Sequence, residues 1–242
     1  MDDKLLKRWP LRLFLKKVSW LIIALTGLPL VILMGFSVYG NSVGDLVVSI
    51  EAQTVRALSL SETGEFGTLD ATSLLAAEGI KDIRDSTYYY IPDNIAEGNG
   101  LKSDKNENFY FAYSFYLKNV STVSVGYSVI LKLDENTKGV DQAIRIMIII
   151  DDDEPLIFAR PKADGTPEEL VSDGNAIKKS YTTIPFVGNE AEIITQPVTE
   201  VDSIQKYTVV MWLEGWDADC RDDIVGGNLS ASLTFKILES DE

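Results

Sequence analysis

Apolar residues are spaced in two different ways along the chain. From Val18 to Tyr39 runs VSWLIIALTGLPLVILMGFSVY, 22 residues without a charge. At about 1.5 Å per residue this predicts a helix roughly 33 Å long, enough to span a bilayer. Gly27 and Pro29 lie near its middle, where a spanning helix tolerates a kink. Trp20 and Tyr39 lie near its ends, at headgroup level. After Gly40 the spacing changes to period-two alternation rich in β-branched and aromatic residues, the pattern of half-buried strands.

Eight strands are predicted on that pattern. Asp45–Leu60 reads as one long strand, and Phe109–Asn119 with Thr122–Leu133 as a pair around a short turn, their aromatic and β-branched faces meeting across the pair. Gln142–Ile150 and Pro155–Pro161 flank a tight acidic turn, Asp151–Glu154, and so form a hairpin. Ala191–Gln196, Lys206–Gly215 and Asn228–Leu238 complete the set, separated by turn-rich stretches. At most one short helix is expected, near Ala71–Glu78. The polar segments Tyr88–Asn108 and Ala163–Ser180 read as long surface loops. The fold class this predicts is all-β, a jelly-roll-like antiparallel β-sandwich preceded by one N-terminal transmembrane helix.

Charge adds a direction to this division. Residues 1–17 carry six basic against two acidic residues, a net of +4, and residues 18–40 carry none, which leaves −19 of the whole-chain −15 on residues 41–242. A basic flank on the N-terminal side predicts a cytoplasmic segment 1–17, a membrane-crossing anchor 18–40 and an extracellular domain 41–242. A cleaved signal peptide is the competing reading of the same segment, with Val38 and Gly40 as residues of a poor cleavage site. The strong acidity argues against nucleic acid or anionic lipid as partner of the domain, and favours cations, cationic polymers or other proteins.

The chain contains no histidine. A histidine-dependent triad, an imidazole zinc site and a general base of ordinary pKa near neutrality are therefore excluded. Its single cysteine, Cys220, has no partner within the chain and reads as a partly buried thiol.

The segments WLEGWDADC (Trp212–Cys220), DDIVGGNLSASLTF (Asp222–Phe235) and YFAYSFYLKNVS (Tyr110–Ser121) resemble parts of the secreted or anchored β-sandwich surface proteins of Gram-positive bacteria, a group similar in turn to the TasA and camelysin family of biofilm-matrix proteins. The resemblance implies an extracellular structural or adhesive role. Camelysin's described metalloprotease activity does not carry over, because this chain has neither an HExxH motif nor any histidine.

The densest polar constellation is Glu214, Asp217, Asp219, Asp222 and Asp223, five carboxylates within ten residues. Their mutual repulsion makes calcium the metal to test, since extracellular calcium sites gather oxygen ligands from such loops, although the spacing is not that of an EF-hand. The bland reading is a solvated acidic turn near Arg221. Asp151–Glu154 reads as an exposed hairpin tip. Asn119 and Asn228 stand in N-x-S sequons. Tyr88, Tyr89 and Tyr90 are three consecutive aromatics that cannot all point inward from a strand, and keep a sugar-stacking interpretation beside that of core and sheet face. The leading functional expectation is a non-enzymatic cell-surface or extracellular-matrix structural or adhesive protein, held to the membrane through its N-terminal helix and meeting other surface proteins or polymers. Self-assembly by addition of the first strand to a neighbour's sheet edge is part of that expectation. The alternatives are an extracellular module for carbohydrate or calcium, and a histidine-free carboxylate hydrolase.

Overall fold

The computed structural model describes residues 46–238 apart from 53, 55, 80–82, 99, 104–108 and 152. The segments expected as cytoplasmic tail and anchor lie outside the described residues. Among the described residues no helix is long and apolar enough to cross a membrane.

The fold is all-β. Its strands are β1 Leu46–Ile50, β2 Leu58–Ser61, β3 Leu74–Ala77, β4 Asp85–Ser86, β5 Gly100–Ser103, β6 Phe111–Asn119, β7 Val125–Asn136 and β8 Ile144–Ile150. They continue with β9 Leu156–Ala159, β10 Glu169–Leu170, β11 Tyr181–Thr182, β12 Ile184–Pro185, β13 Glu190–Thr199, β14 Ile204–Glu214 and β15 Leu229–Ile237. A smaller sheet has the order β13-β7-β15-β1-β3 and a larger one the order β12-β9-β8-β14-β6-β2, with β4 added beside β14 and β5 beside β6. β10 and β11 pair separately.

The two large sheets pack face to face. Phe115 and Tyr207 of the larger sheet meet Phe235 of the smaller one edge-on, with ring centroids 6.1 and 5.2 Å apart. Such aromatic contacts each add about 0.5–1.5 kcal/mol beyond area burial. Across the same core the Tyr127 and Tyr207 hydroxyls hydrogen-bond at 2.6 Å. Both rings are fully buried, and this bond, with the one Tyr127 donates to Gln205, answers the polar tips that burial would otherwise leave unpaired.

Most sheet pairings are antiparallel, and the expected hairpin of β8 and β9 around the acidic turn is present. The structure corrects four expectations. The order is not purely antiparallel, because β1 runs parallel to β15, β12 to β9 and β4 to β14. The run Asp45–Leu60 is not one strand: after Ile50 the chain turns, with Thr54 N donating to the Glu51 carbonyl at 2.8 Å and Ala57 N to that of Thr54 at 2.9 Å, before β2 begins in the other sheet. β6 and β7 do not pair. They lie in opposite sheets, so their apolar faces meet across the core and not side by side. The segment Ala71–Glu78, the one place where the sequence allows a short helix, contains strand β3 instead, because its Leu and Ala side chains suit either state and β1 supplies a backbone partner from Leu46↔Ala77 to Ser49↔Leu74.

β1 is interior to its sheet, paired on both sides, with Leu46, Val48 and Ile50 buried. The centre of the larger sheet is buried on both faces. On β14, Tyr207, Val209, Met211 and Leu213 face the core between the sheets, while Val210 and Trp212 join a second apolar cluster on the outer face. Near-continuous burial along β8 and β14 follows from that double cover.

Candidate functional site

The outer face of the larger sheet holds the most distinctive chemistry of the described residues. Register places Arg145 opposite Trp212, and Met147 opposite Val210, which in turn lies opposite Ala112. Over this row folds the segment from Tyr88 to Gly98, expected as an exposed loop. Ile91 and Ile95 are buried in it, packed into the cluster of Met147, Ile149, Val210 and Trp212. The sequence signal was available: two isoleucines four apart in a polar stretch.

A single 3-10 turn, Tyr88–Tyr90, resolves the three consecutive tyrosines. Tyr88 turns inward and stacks on Trp212 at 5.9 Å and 19° between planes, and Tyr181 stands edge-on to both rings. Tyr89 and Tyr90 remain exposed, with Tyr90 stacked on Phe109 at 6.3 Å. Two lysines hold the flap. Lys179 Nζ donates to the Ile91 carbonyl at 2.9 Å and to Asp93 at 2.6 Å, and Lys206 Nζ donates to the carbonyls of Ala96 and Gly98, both at 2.6 Å.

Beneath Tyr88 and Tyr181 lies a buried polar network. Glu214, 1% exposed, accepts hydrogen bonds from Trp212 Nε1 at 3.1 Å, Tyr181 Oη at 3.0 Å and the Tyr88 amide at 3.4 Å. Arg145 donates through Nε to Tyr181 Oη at 3.1 Å and through Nη2 to Asp217 at 2.5 Å, with Glu168 at 3.9 Å. Burial works against the charge of Arg145, but Tyr181 and Asp217 outweigh it and its pKa lies above the ordinary value. Burial also holds the Tyr181 phenol protonated far above its usual range, with Arg145 opposing and Glu214 adding. For Cys220 burial, joined by the carboxylates of Asp85, Asp217 and Glu214, pushes the thiol up to about 11. That is the inert thiol of a partly buried cysteine.

The five carboxylates singled out for calcium divide into two groups. Glu214 and Asp217 face inward and are committed to Tyr181, Trp212 and Arg145. Asp219, Asp222 and Asp223 face outward, with Arg221 3.6 Å from Asp219 and 4.0 Å from Asp223. Among the described residues no group of three or more His, Cys, Asp or Glu is placed to hold a metal ion. Glu214 ends β14, Asp217 and Asp219 lie in the turn after it and Asp222 and Asp223 in the next 3-10 turn, so nearness along the chain does not become convergence in space. Sequence reasoning missed Arg145, a lone cation in the apolar run QAIRIMIII, where alternation alone would have paired it with the polar face of a neighbouring strand. Asn119 of the first sequon is buried, and its amide donates to the carbonyls of Val123 and Thr199, both at 3.0 Å. It ties the loop after β6 to the end of β13.

Beside the flap lies a groove of about 280 Å³, lined by Pro92, Ala96, Pro155, Asp93, Asp151, Asp153 and Lys179, with Met147 and Ile149 almost fully buried beneath it. No family model, curated protein or solved structure matches the chain.

Proposed function

We propose that the chain is a non-enzymatic surface protein, a jelly-roll-like sandwich carried outside the cell by its N-terminal segment and acting by contact with other proteins or polymers. The observation that carries this reading is that the two inward carboxylates of the constellation, Glu214 and Asp217, are closed off from solvent. Arg145, Glu214 and Asp217 have buried side chains, and each is tied to named partners. Groups held in that way make a rigid scaffold and leave recognition to the surface around them. A carboxylate hydrolase needs two carboxyl groups facing a substrate, whereas here the inward pair faces an arginine, a tyrosine and an indole.

The jelly-roll likeness draws on the connections. Consecutive long strands change sheets from β6 to β7, from β7 to β8, from β13 to β14 and from β14 to β15. The parallel β1–β15 pair departs from the antiparallel form of that fold. Assembly by strand addition would use an outer edge, β13 or β3 in the smaller sheet, since β1 is already paired on both sides. Cell fractionation, with N-terminal sequencing of the mature protein, tests the reading. An intact N-terminus in the membrane fraction supports a tether, a new N-terminus near Gly40 in the medium supports secretion, and recovery of the chain in the cytosol contradicts both.

A ligand-binding module is the second reading, favoured by the groove on the outer face of the larger sheet.

A further inference from the structure

Three aromatic side chains are exposed among the described residues, Tyr89 at 43%, Tyr90 at 61% and Trp216 at 57%, and every other described aromatic ring is buried or half-buried. All three belong to one corner of the fold, where β14 ends and the flap begins. Glu214 ties that corner together. Its Oε2 accepts the amide of Tyr88, which opens the turn of Tyr89 and Tyr90, at 3.4 Å, and its Oε1 accepts the amide of Trp216 at 3.3 Å. Beside it β4 lies along β14, and Gly215 N donates to the Ser86 carbonyl at 2.6 Å. The tyrosine rings are held as well as their backbone, since Tyr90 stacks on Phe109 and Tyr89 stands edge-on to Tyr90 with centroids 5.3 Å apart. Rings fixed in this way lose little freedom on binding, so their exposed area is open to a ligand at low entropic cost. A carboxylate stands next to them. Asp85 of β4 is exposed, and its Oδ2 packs so closely on Gly215, the residue before Trp216, that a Cβ there would lie 3.0 Å away. Asp85 takes part in no salt bridge among the described residues.

We propose that this corner binds a polysaccharide of amino sugars with free amines. Pyranose rings lie with their C–H faces against the exposed tyrosine and indole rings, whose electron-rich faces favour them. The ammonium groups meet Asp85 and the same aromatic faces. Charge selects the class further, because a chain of net charge −15 repels anionic polymers and draws cationic ones from a distance. A basic peptide offers the cation without the flat C–H face, and a neutral glycan the face without the cation. The inference rests on the reading of the chain as a protein that acts by contact with polymers, but its test uses purified protein and is independent of where the protein resides.

Full-length protein in mild detergent is titrated, at one fixed low salt concentration, with a fluorescent oligomer of glucosamine, with the same oligomer fully N-acetylated, and with an oligolysine of equal charge. Tyr89→Ala with Tyr90→Ala, and separately Trp216→Ala, remove the rings, and Asp85→Asn removes the carboxylate. Leu69→Ala with Val123→Ala serves as control, since these side chains are 96% and 61% exposed on other connections. All the substituted side chains lie at the surface, and unchanged melting midpoints verify that the fold is kept. The parent is expected to bind the glucosamine oligomer most tightly of the three. Each ring variant is expected to weaken that binding about tenfold, as for aromatic anchors, Asp85→Asn several-fold, and the control pair less than about twofold. Added salt is expected to weaken binding of the glucosamine oligomer and to leave that of the acetylated one unchanged. No binding by the parent, ring variants equal to the control pair, equal affinity for the acetylated oligomer, or equal affinity for oligolysine would each overturn the proposal. The last outcome would make the corner a site for basic protein segments. A failed titration alongside an extracellular location leaves the surface-protein reading standing, so the two failures are distinguishable.

Discussion

Arg145 Nη2 lies 2.5 Å from Asp217 Oδ2, with the two side chains only 2% and 3% exposed. Arginine opposite Trp212 on β8 and aspartate in the turn after β14 thus close the outer face of the larger sheet with a buried ion pair. Such a pair contributes little net stability over an apolar replacement, but removing one partner strands a buried charge. Arg145→Met is therefore expected to destabilise the domain by about 3–5 kcal/mol, read from urea unfolding. Adding Asp217→Leu to that variant is expected to recover a large part of the loss. A single variant as stable as the parent would show that water reaches the pair.

Cys220 supplies a kinetic check. A thiol raised from 9.0 to about 11 has about 100-fold less thiolate near pH 8 than an unperturbed one. Alkylation by iodoacetamide in the folded protein is expected to be slower than in urea by at least that factor. Equal rates in the two states would place Cys220 in open solvent.

Glu168 makes stability depend on pH. Burial and the Asp217 carboxylate raise its pKa, with Arg145 and Lys162 opposing. A carboxyl whose folded-state pKa is raised binds its proton more tightly when folded. Its contribution is therefore complete below the ordinary glutamate range and is lost as pH rises through the raised value. Glu168→Gln is expected to flatten that loss in unfolding curves between about pH 4 and 7, and to be at least as stable as the parent at neutral pH. A glutamine variant clearly less stable at neutral pH would reverse the sign.

Lys206 fastens the far end of the flap through the carbonyls of Ala96 and Gly98. A hydrogen bond from a charged donor contributes about 1.5–3 kcal/mol, so Lys206→Met is expected to speed amide exchange in the flap about tenfold or more. The amide of Ile95, bonded to the Pro92 carbonyl at 3.1 Å, is a suitable reporter. That of Val210, in the centre of the sheet, is expected to keep its protection. Unchanged exchange at Ile95 would mean that Lys179 and the buried Ile91 and Ile95 suffice to hold the flap down.

The strands most legible in the sequence were those whose alternation or apolar run is long, such as Lys206–Gly215 and Asn228–Leu238, which became β14 and β15 with nearly the same limits. Pairing was less legible than strand position. Phe109–Asn119 and Thr122–Leu133 look like neighbours because they are adjacent in sequence, yet the loop between them crosses from one sheet to the other, and nothing in its composition marks the crossing. At Leu74–Ala77 local propensity was outweighed by a partner nearly thirty residues away, β1. The candidate site was half legible. Glu214 and Asp217 were singled out for their charge, while their partners Arg145 and Tyr181 come from segments about 70 and 35 residues distant and are joined to them by the register of β8 on β14 and the return of the chain at β11. Side-chain direction then separated the inward carboxylates from Asp219, Asp222 and Asp223, a distinction that a count of charges does not contain.

Trypsin treatment of intact cells, followed by peptide identification, reports whether the domain lies outside the cell, because the exposed β10–β11 connection carries Lys178. Release of peptides ending at Lys178 from unlysed cells, with a cytoplasmic marker left uncut, is the predicted result. Protection of the chain until the cells are lysed would contradict the account.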